Sequence, residues 1–578
     1  MSEKNISVFT KADLDMKTYI RKILVPYVGL SAVLFIVASI FSNLLMLSSA
    51  LSFLLYSIPI ILLIYAAVYP YVVADSKKIS INSHIPYFIT YFAVLSTSEM
   101  SRADLIRVLA HDPKLGAIAS ELKKVYIIIE KLHRSMPEAF RFLARRTPSR
   151  VFADFLDRLA YSLDSGVDMK EYLFQEQQTV MDDYQTFYEG ALYDLDVFKE
   201  IYESIIISVV FMASFIIIGP LITGQDIGKL ALYTLAMILA AELGVFLVIK
   251  FRMPEDPIWA DTKGIETERM KKLKRAGQIS IAGVVIVGLL YYFFIAPRFS
   301  IPQPFVVALV FSPLYYVGRF ASKEEESIFR KDENFAAFIR SLSSSLAASG
   351  SSLVLVLKYL SSHDFGSLTE DIKALYRRLA VRVDRERAWD YFIAGTGSWL
   401  IGIFSEIFRE AIRMGSEPDY VGLVISRNFE RLVRLRKKRQ QSIASFIGII
   451  YGLTASFAFT LAASFQVAAS INLLFSQLPV PTEYIGDIIH VIPPTGMNFV
   501  MYIMLTIMVV HSFLSALAIK TADGGHWIVS LKYFVIFLWV FAAGMYTGQT
   551  LMERMMGIST GGSEATQLVG IIAKAVLG

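Results

Sequence analysis

Residues that could carry out chemistry are few in this chain. Its 578 residues include seven histidines and no cysteine, which excludes disulfides, thiolate metal sites and a cysteine nucleophile. The nearest approach to a phosphate-binding loop, Gly228-Lys229, lacks both the earlier glycine spacing and the Ser or Thr after the lysine. No paired histidines and no GxSxG motif occur. We therefore predict no enzyme activity, no catalytic residue, no cofactor and no metal. Without a phosphate-binding loop the chain cannot hydrolyse nucleotide by that mechanism, so any energy for work must come from a partner.

Two charged clusters are better suited to binding than to catalysis. The first is a basic run directly before an apolar segment, and it consists of Arg431, Arg434, Arg436, Lys437, Lys438 and Arg439. It either sets topology and attracts anionic headgroups, at about 1 kcal/mol per residue, or faces an acidic partner.

The second cluster is acidic and lies opposite an apolar stripe at helical spacing. It consists of Asp154, Asp157, Asp164 and Asp168, and the stripe consists of Phe152, Phe155, Leu156, Leu159 and Leu163. This acidic face is either simply hydrated, or it contacts a basic partner or the basic run of the same chain.

The elements that must position these clusters are membrane helices. The chain is 55% hydrophobic and 19% charged, below the quarter or so of charged residues typical of soluble domains. About nine apolar segments approach the ~20 residues needed to span a bilayer. They lie near residues 24–47, 51–73, 204–222, 229–249, 279–296, 303–320, 445–475, 497–519 and 527–547. The predicted fold class is an all-α polytopic membrane protein.

Lysine and arginine residues near the predicted helix ends indicate the orientation. They concentrate in the N-terminal tail and in alternate loops, whereas the loop 476–494 carries Glu483 and Asp487 and no basic residue. Because cytoplasmic loops are enriched in basic residues, we predict a cytoplasmic N-terminus and an external C-terminus in the cell membrane.

Two polar segments are too long to be connectors and show helical periodicity. We predict the following division of the chain: 1–74, tail and two membrane helices; 75–203, first cytoplasmic helical domain; 204–320, four membrane helices with a basic loop at 250–278; 321–442, second cytoplasmic helical domain; 443–578, three membrane helices and an external tail. The second domain opens with an apolar stripe of Phe335, Phe338, Ile339, Leu342 and Leu346.

The two polar segments resemble each other in three blocks that occur in the same order. The block at Phe88 resembles the block at Phe335, and the blocks that follow match Gly116 with Gly366 and Gly166 with Gly415. We interpret this as an internal duplication, and chance similarity between helical patterns is the alternative.

The segments 152–173 and 334–360 resemble the type II secretion system F domain family. Its members are the membrane platform proteins of type IV pili, type II secretion and archaeal swimming filaments. The size, the extra N-terminal helix pair and the C-terminal pair around Asp523–Trp527 resemble most the archaeal swimming-filament (archaellum) branch. An archaeal adhesive-pilus or secretion platform is the alternative within the family.

The resemblance implies an anchor at the filament base that couples a cytoplasmic hexameric ATPase to filament assembly and rotation. The implied partners are this ATPase, pilin-like subunits and the lipid bilayer, with a homodimer or small homo-oligomer and no nucleic acid. The two charged clusters become candidate ATPase contacts. A secondary transporter is the alternative of another class, but transporter repeats lie in the membrane helices, whereas the clearest repeat here is polar.

One acid lies inside a predicted membrane helix. Glu242 would cost roughly 2.5–3.5 kcal/mol there, so it should face other helices. We expect an interhelical hydrogen bond rather than an ion pathway, and similar roles for Gln466, Asn472 and His511.

Overall fold

The helical periodicity of the sequence continues without interruption from polar into apolar segments, and the helices are correspondingly long. The structure is a computed structural model that describes residues 8–44, 49–261, 264–350, 352–476 and 492–556. The predicted external loop with Glu483 and Asp487 and the tail after residue 556 lie outside these ranges.

The described part of the chain is helical and contains no strand, apart from one isolated β-bridge between Trp259 and Ser398. The first half contains helices α1 (Val8–Lys11), α2 (Met16–Tyr19), α3 (Val25–Leu44), α4 (Ser49–Leu95), α5 (Arg102–His111), α6 (Ala117–Leu132), α7 (Met136–Ala144), α8 (Arg150–Asp164), α9 (Met169–Thr223) and α10 (Ile227–Arg252). The second half contains α11 (Glu268–Leu290), α12 (Gln303–Phe311), α13 (Leu314–Ser349), α14 (Leu353–Leu360), α15 (Thr369–Ala380), α16 (Arg385–Thr396), α17 (Trp399–Arg413), α18 (Pro418–Ser476), α19 (Pro494–Asp523) and α20 (Ser530–Met556).

Seven described helices are long and apolar enough to span a membrane, and there are eight if a bent pair counts as one span. The seven are Met16–Ile40, Met169–Thr223, Ile227–Arg252, Glu268–Ile295, Pro418–Phe475, Thr495–Asp523 and Trp527–Met556. The bent pair is α12 and α13, which meet at 48° beside Pro313. The chain is therefore an all-α multi-pass membrane protein, as predicted. The remaining predicted span, 51–73, lies within α4.

Two compact units can be distinguished. The first comprises Met1–Tyr188, Ile339–Ser351 and Ile403–Asn428, and the second comprises Glu189–Phe338, Ser352–Gly402 and Phe429–Gly578. The first unit thus takes helical segments from both copies of the predicted repeat. Within it the Asn428 side chain, which is buried, donates to Thr90 Oγ1 at 2.8 Å and Gln177 Oε1 at 3.0 Å.

The apolar stripes predicted from the sequence form the helical cores. On α8, Phe152, Phe155, Leu156 and Leu159 are buried, and the Phe88 ring lies 5.6 Å from the rings of Phe152 and Phe155. On α13, Phe335, Phe338, Ile339 and Leu342 are buried, whereas Leu346 is half-buried.

The internal repeat is visible as one turn that is built twice. In the first copy, Ser149 Oγ accepts from Phe152 N at 3.1 Å and donates to Asn82 Oδ1 at 2.5 Å. In the second copy, Ser398 Oγ accepts from Ile401 N at 3.1 Å and donates to Asp332 Oδ1 at 2.5 Å. The same bonds at equivalent positions support the duplication.

The structure corrects the register of the first repeat block. A Cβ on Gly116 would lie 2.8 Å from the His84 ring, and one on Gly366 would lie 2.9 Å from Asn334. His84 therefore corresponds to Asn334, and Phe88 to Phe338 rather than to Phe335. The error of three residues is nearly one helical turn, so it kept apolar positions aligned with apolar positions.

Glycines allow two membrane helices to approach closely. A Cβ on Gly548 of α20 would lie 2.5 Å from the Phe459 carbonyl oxygen of α18, and one on Gly544 would lie 2.9 Å from the Ala455 carbonyl oxygen. Glycines four residues apart form such a contact face in membrane helices.

We predict that Gly548→Leu destabilises the protein by about 1–3 kcal/mol, because the added side chain has no space against α18. Thermal unfolding of the purified protein in detergent measures this as a lower Tm. Gly448→Leu is the matched control, since nothing lies within 4 Å of a Cβ at Gly448. Equal Tm values for the two variants would contradict the packing argument.

Candidate partner-binding surface

The basic run on α18 divides into an exposed face and a buried face. Arg434, Lys437 and Lys438 are exposed, and we call these three residues the basic ridge. Their nearest acids are Glu430 at 3.8 Å from Arg434, Glu333 at 2.6 Å from Lys437, and Glu189 at 2.5 Å from Lys438.

The other cations of the run are less exposed. At 3.6 residues per turn, Arg436 and Arg439 fall on the side of α18 opposite the basic ridge. Arg431 is half-buried. Arg436 and Arg439 are 5% and 2% exposed, so they do not belong to the surface on which the sequence pattern predicted them.

Arg436 joins two acids that come from distant parts of the chain. Its Nε and Nη2 donate to Asp256 Oδ1 at 2.9 Å and 2.5 Å, and its Nη1 donates to Asp332 Oδ2 at 3.0 Å. Nη2 also donates to the Pro257 carbonyl oxygen at 2.9 Å. A planar guanidinium suits such a site because its five N–H groups point in fixed directions.

Asp332 is the acid that most needs this arginine. It lies beyond the predicted span 303–320 and is 1% exposed. Burial raises the pKa of the Asp332 carboxyl to about 6, against the opposite effect of Arg436. The carboxyl is thus mainly ionised at neutral pH, and Arg436 and the Ser398 hydroxyl replace its lost hydration.

Arg439 donates to three backbone carbonyls. It donates to the carbonyl oxygens of Ala522 at 2.7 Å, Pro254 at 3.0 Å and Thr521 at 3.5 Å. Its guanidinium thereby connects α18 to the end of α10 and to the end of α19. A buried cation at a helix C-terminus also interacts favourably with the negative end of the helix dipole.

A second acid–base group lies at the same end of α19. Lys520 Nζ is 2.6 Å from Glu325 Oε2 and 2.9 Å from Asp523 Oδ2. Glu325 Oε1 accepts from Trp259 Nε1 at 2.9 Å and from the His526 amide at 2.8 Å.

Two glycines make this group possible. Gly524 and Gly525 have φ values of 86° and 79°, which favour glycine. A Cβ on Gly525 would lie 2.4 Å from Glu325 Oε1. The motif Asp523–Trp527, noted only as a family resemblance, is therefore the turn that closes the network. We call these connected groups around Arg436, Arg439 and Glu325 the charge network.

The predicted acidic cluster lies on the surface, but only Asp154, Asp157 and Asp164 are on α8, because the helix ends at Asp164 and Asp168 stands just before α9. Asp154, Asp157, Asp164 and Asp168 are all exposed. Asp154 lies 3.7 Å from Arg150, Asp164 pairs with Arg141, and Asp168 Oδ1 accepts from the Lys170 amide at the start of α9. Asp168 therefore has a local structural role as a helix cap.

The buried acid of the predicted membrane region is part of an interhelical hydrogen-bond cluster. Glu242 Oε1 lies 2.6 Å from His511 Nδ1 and accepts from the Tyr202 hydroxyl at 3.3 Å. His511 Nε2 lies 3.0 Å from Thr454 Oγ1. This is the interhelical role expected for Glu242 and His511. Asn472 bonds to both backbone groups of Ile492, at 2.9 Å and 2.7 Å.

Within the described ranges, no cluster of three or more His, Asp or Glu side chains is arranged to hold a metal ion. The buried groups found here are instead paired with one another. The sequence did not identify four residues of the charge network, Asp256, Glu325, Asp332 and Lys520. A charged residue near a helix end is usually exposed to water, and the sequence does not show that a distant partner buries it. The acids beside Pro254 and Pro257, in a loop otherwise expected to be basic, are the one available signal.

The sequence is similar to known proteins over almost its whole length. The family described as Type II secretion system (T2SS), protein F, matches residues 88–217 and again residues 338–464. A protein named Flagella accessory protein J from Methanocaldococcus jannaschii is 40% identical over 555 residues, which cover 95% of this chain and 98% of that protein. One of the same name from Methanococcus voltae is 35% identical over 93% of this chain and 96% of its own length. No solved structure matches the chain.

We predict that Arg436→Ala lowers the free energy of unfolding by about 3–5 kcal/mol, since it leaves two carboxylates buried without their cation. Arg434→Ala on the exposed face of the same helix should cost at most about 1 kcal/mol. Denaturant unfolding in detergent micelles measures both values.

A rescue variant tests the cause of this loss. Arg436→Met combined with Asp256→Asn and Asp332→Asn removes the charges together and should regain stability relative to Arg436→Met alone. No recovery would show that the arginine acts by packing rather than by pairing with the acids.

Proposed function

Because the chain belongs to the type II secretion system F family, we propose that it is the platform of an archaellum, coupling a cytoplasmic motor ATPase to filament assembly and rotation. As a member of this family, it is a structural multi-pass membrane protein of type IV pilus-like machines rather than an enzyme. The observation that carries the archaellum assignment is the near full-length similarity to relatives named Flagella accessory protein J.

Long unbroken helices support a role in transmitting force. Helix α18 has 59 residues and begins among polar residues but ends among apolar ones. At 1.5 Å per residue it is about 90 Å long, roughly three times the thickness of a hydrocarbon core. A load applied near its polar start would therefore reach the membrane without crossing a hinge in the backbone.

The charge network supports the same role. Arg436 and Arg439 fix α18 to the segment after α10 and to the end of α19, and Asp332 lies on α13. These contacts all belong to the second compact unit. A displacement of α18 would be passed to α13, to α19 and to the segment after α10, because breaking a buried ion pair is costly.

We propose that the basic ridge is the contact for the ATPase. Arg434, Lys437 and Lys438 lie within two turns of α18, on the side opposite Arg436 and Arg439. Exposed charges of one sign steer an acidic partner and set its orientation. The exposed acids of α8 are a second proposed contact, for a basic surface of the same machinery.

The remaining proposed partners follow from the membrane helices. Helix α11 exposes most of its apolar surface, since only 6% of the residues in its most apolar stretch are buried. Such a surface is suited to contact with lipid or with a partner. We propose that such faces meet lipid, pilin-like filament subunits or a second copy of this chain. The proposed orientation has the N-terminus in the cytoplasm and the C-terminus outside.

We predict that Arg434→Glu, Lys437→Glu and Lys438→Glu together abolish filaments while the protein stays folded and inserted. The ridge would then repel an acidic partner. Electron microscopy counts filaments, and co-purification with the ATPase measures binding. Lys358, Arg385 and Arg387, also exposed, provide the control when changed to Glu. Normal filaments in the ridge variant, or equal loss in the control, would refute the proposed contact.

We also predict that Asp154→Lys with Asp157→Lys weakens ATPase binding and makes the remaining binding less sensitive to added salt, because the attractive charge pairs that salt screens have been removed. The acids are exposed, so the change should leave the melting temperature nearly unchanged. Titration of the ATPase onto the protein in nanodiscs at two salt concentrations measures the effect. Unchanged affinity at both concentrations would leave this face as a hydrated surface.

A further inference from the structure

The duplicated turn precedes α8 in the first copy and α17 in the second. We call the carbonyl before the turn serine and the amide after it the edge of the turn. The edge is unpaired in one copy and hydrogen-bonded to another segment in the other. In the second copy an extended segment of the chain, Ile258 to Ala260, lies along the turn. The Ala260 amide donates to the Gly397 carbonyl oxygen at 2.8 Å, and the Trp399 amide donates to the Ile258 carbonyl oxygen at 2.9 Å. This short antiparallel pairing is the isolated β-bridge of the second unit.

The corresponding groups in the first copy are the Pro148 carbonyl and the Arg150 amide. In the described part of the chain neither has a hydrogen-bond partner. The Arg150 side chain is 93% exposed. The same kind of edge that binds an extended segment in the second copy is therefore open in the first.

The two edges point the same way although their residues differ. Gly397 has a φ of 72°, which proline cannot adopt, so the backbones differ just before the turn. However, the Ser149 amide donates to Thr147 Oγ1 at 3.4 Å, as the Ser398 amide does to Thr396 Oγ1. A peptide group is planar and trans, so equal N–H directions require equal directions of the Pro148 and Gly397 carbonyls.

Charge distinguishes what each edge would bind. Arg145, Arg146 and Arg150 flank the open edge in the sequence, and all three are exposed. Ala394, Gly395 and Trp399 stand at the equivalent positions of the occupied edge. The occupying segment itself has acids on both sides of Ile258–Ala260, namely Glu255, Asp256 and Asp261.

We propose that the edge formed by Pro148 and Arg150 is a docking site for an extended acidic segment of a partner protein. The segment pairs with the edge through its backbone, as residues 258–260 pair with the second copy, and its carboxylates contact the three arginines. This mode combines the backbone recognition of an added strand with charge complementarity.

The test uses the full-length protein in nanodiscs and a fluorescent peptide with the sequence of residues 254–261, PEDPIWAD. Fluorescence anisotropy measures binding. Arg150→Pro removes the amide donor, but proline is well tolerated at the first position of a helix, and Ser149 already has the extended conformation that precedes proline. We expect this variant to bind at least about tenfold more weakly, whereas Arg150→Ala, which keeps the amide, loses about threefold.

A second measurement leaves the protein unchanged. N-methylation of the peptide residue that corresponds to Ala260 removes the donor to Pro148, and we expect a similar loss. The peptide PKKPIWAK, with lysines in place of the acids, should not bind.

Binding that is absent, equal for Arg150→Pro and Arg150→Ala, or insensitive to N-methylation would overturn the proposal. Competition by anionic lipid vesicles together with insensitivity to Arg150→Pro would also overturn it, because it would indicate a lipid headgroup site. Thermal unfolding of each variant confirms that the protein is folded.

Discussion

The guanidinium of Arg436, buried between Asp256 and Asp332, is the interaction on which the second unit depends. Two carboxylates and one guanidinium removed from water cost several kcal/mol per ion, and only a complete set of partners offsets this cost. The set here is supplied by four separate stretches of chain, including the Ser398 hydroxyl and the Pro257 carbonyl. A geometry that needs every member at once resists displacement of any one of them.

The duplication explains why this cation is needed in only one copy. The turn serine donates to Asn82 in the first copy and to Asp332 in the second. An amide carries no charge to compensate, whereas a buried carboxylate does. Helices α9 and α18 start at equivalent residues, Met169 and Pro418, so counting from those starts puts Phe187 at the position of Arg436. A neutral pair in one copy and an ionic pair in the other are thus two consistent solutions for the same turn.

The sequence predicted the parts of this structure that depend on periodicity. The stripes on α8 and α13 are buried, the acids of α8 are exposed, and the duplication is real at the level of individual hydrogen bonds. The prediction was weaker wherever burial depends on a distant partner. For example, aligning Phe88 with Phe335 instead of Phe338 still matched apolar residues with apolar residues, so the sequence pattern did not reveal the error. The basic run gave no sign that Arg436 and Arg439 face inward, because their partners are separated from them by more than eighty residues.

The difference between the two edges accompanies the same divergence. In the second copy, Asp256 must reach Arg436, and the stretch that brings it there continues as Ile258–Ala260 along the turn. The same short segment therefore both pairs Asp256 with Arg436 and covers the edge of the second turn. In the first copy Asn82 is neutral, and among the described residues no segment pairs with the Pro148 carbonyl or the Arg150 amide. A neutral partner of the turn serine thus goes with an unpaired edge in the first copy, and an ionic partner goes with a paired edge in the second.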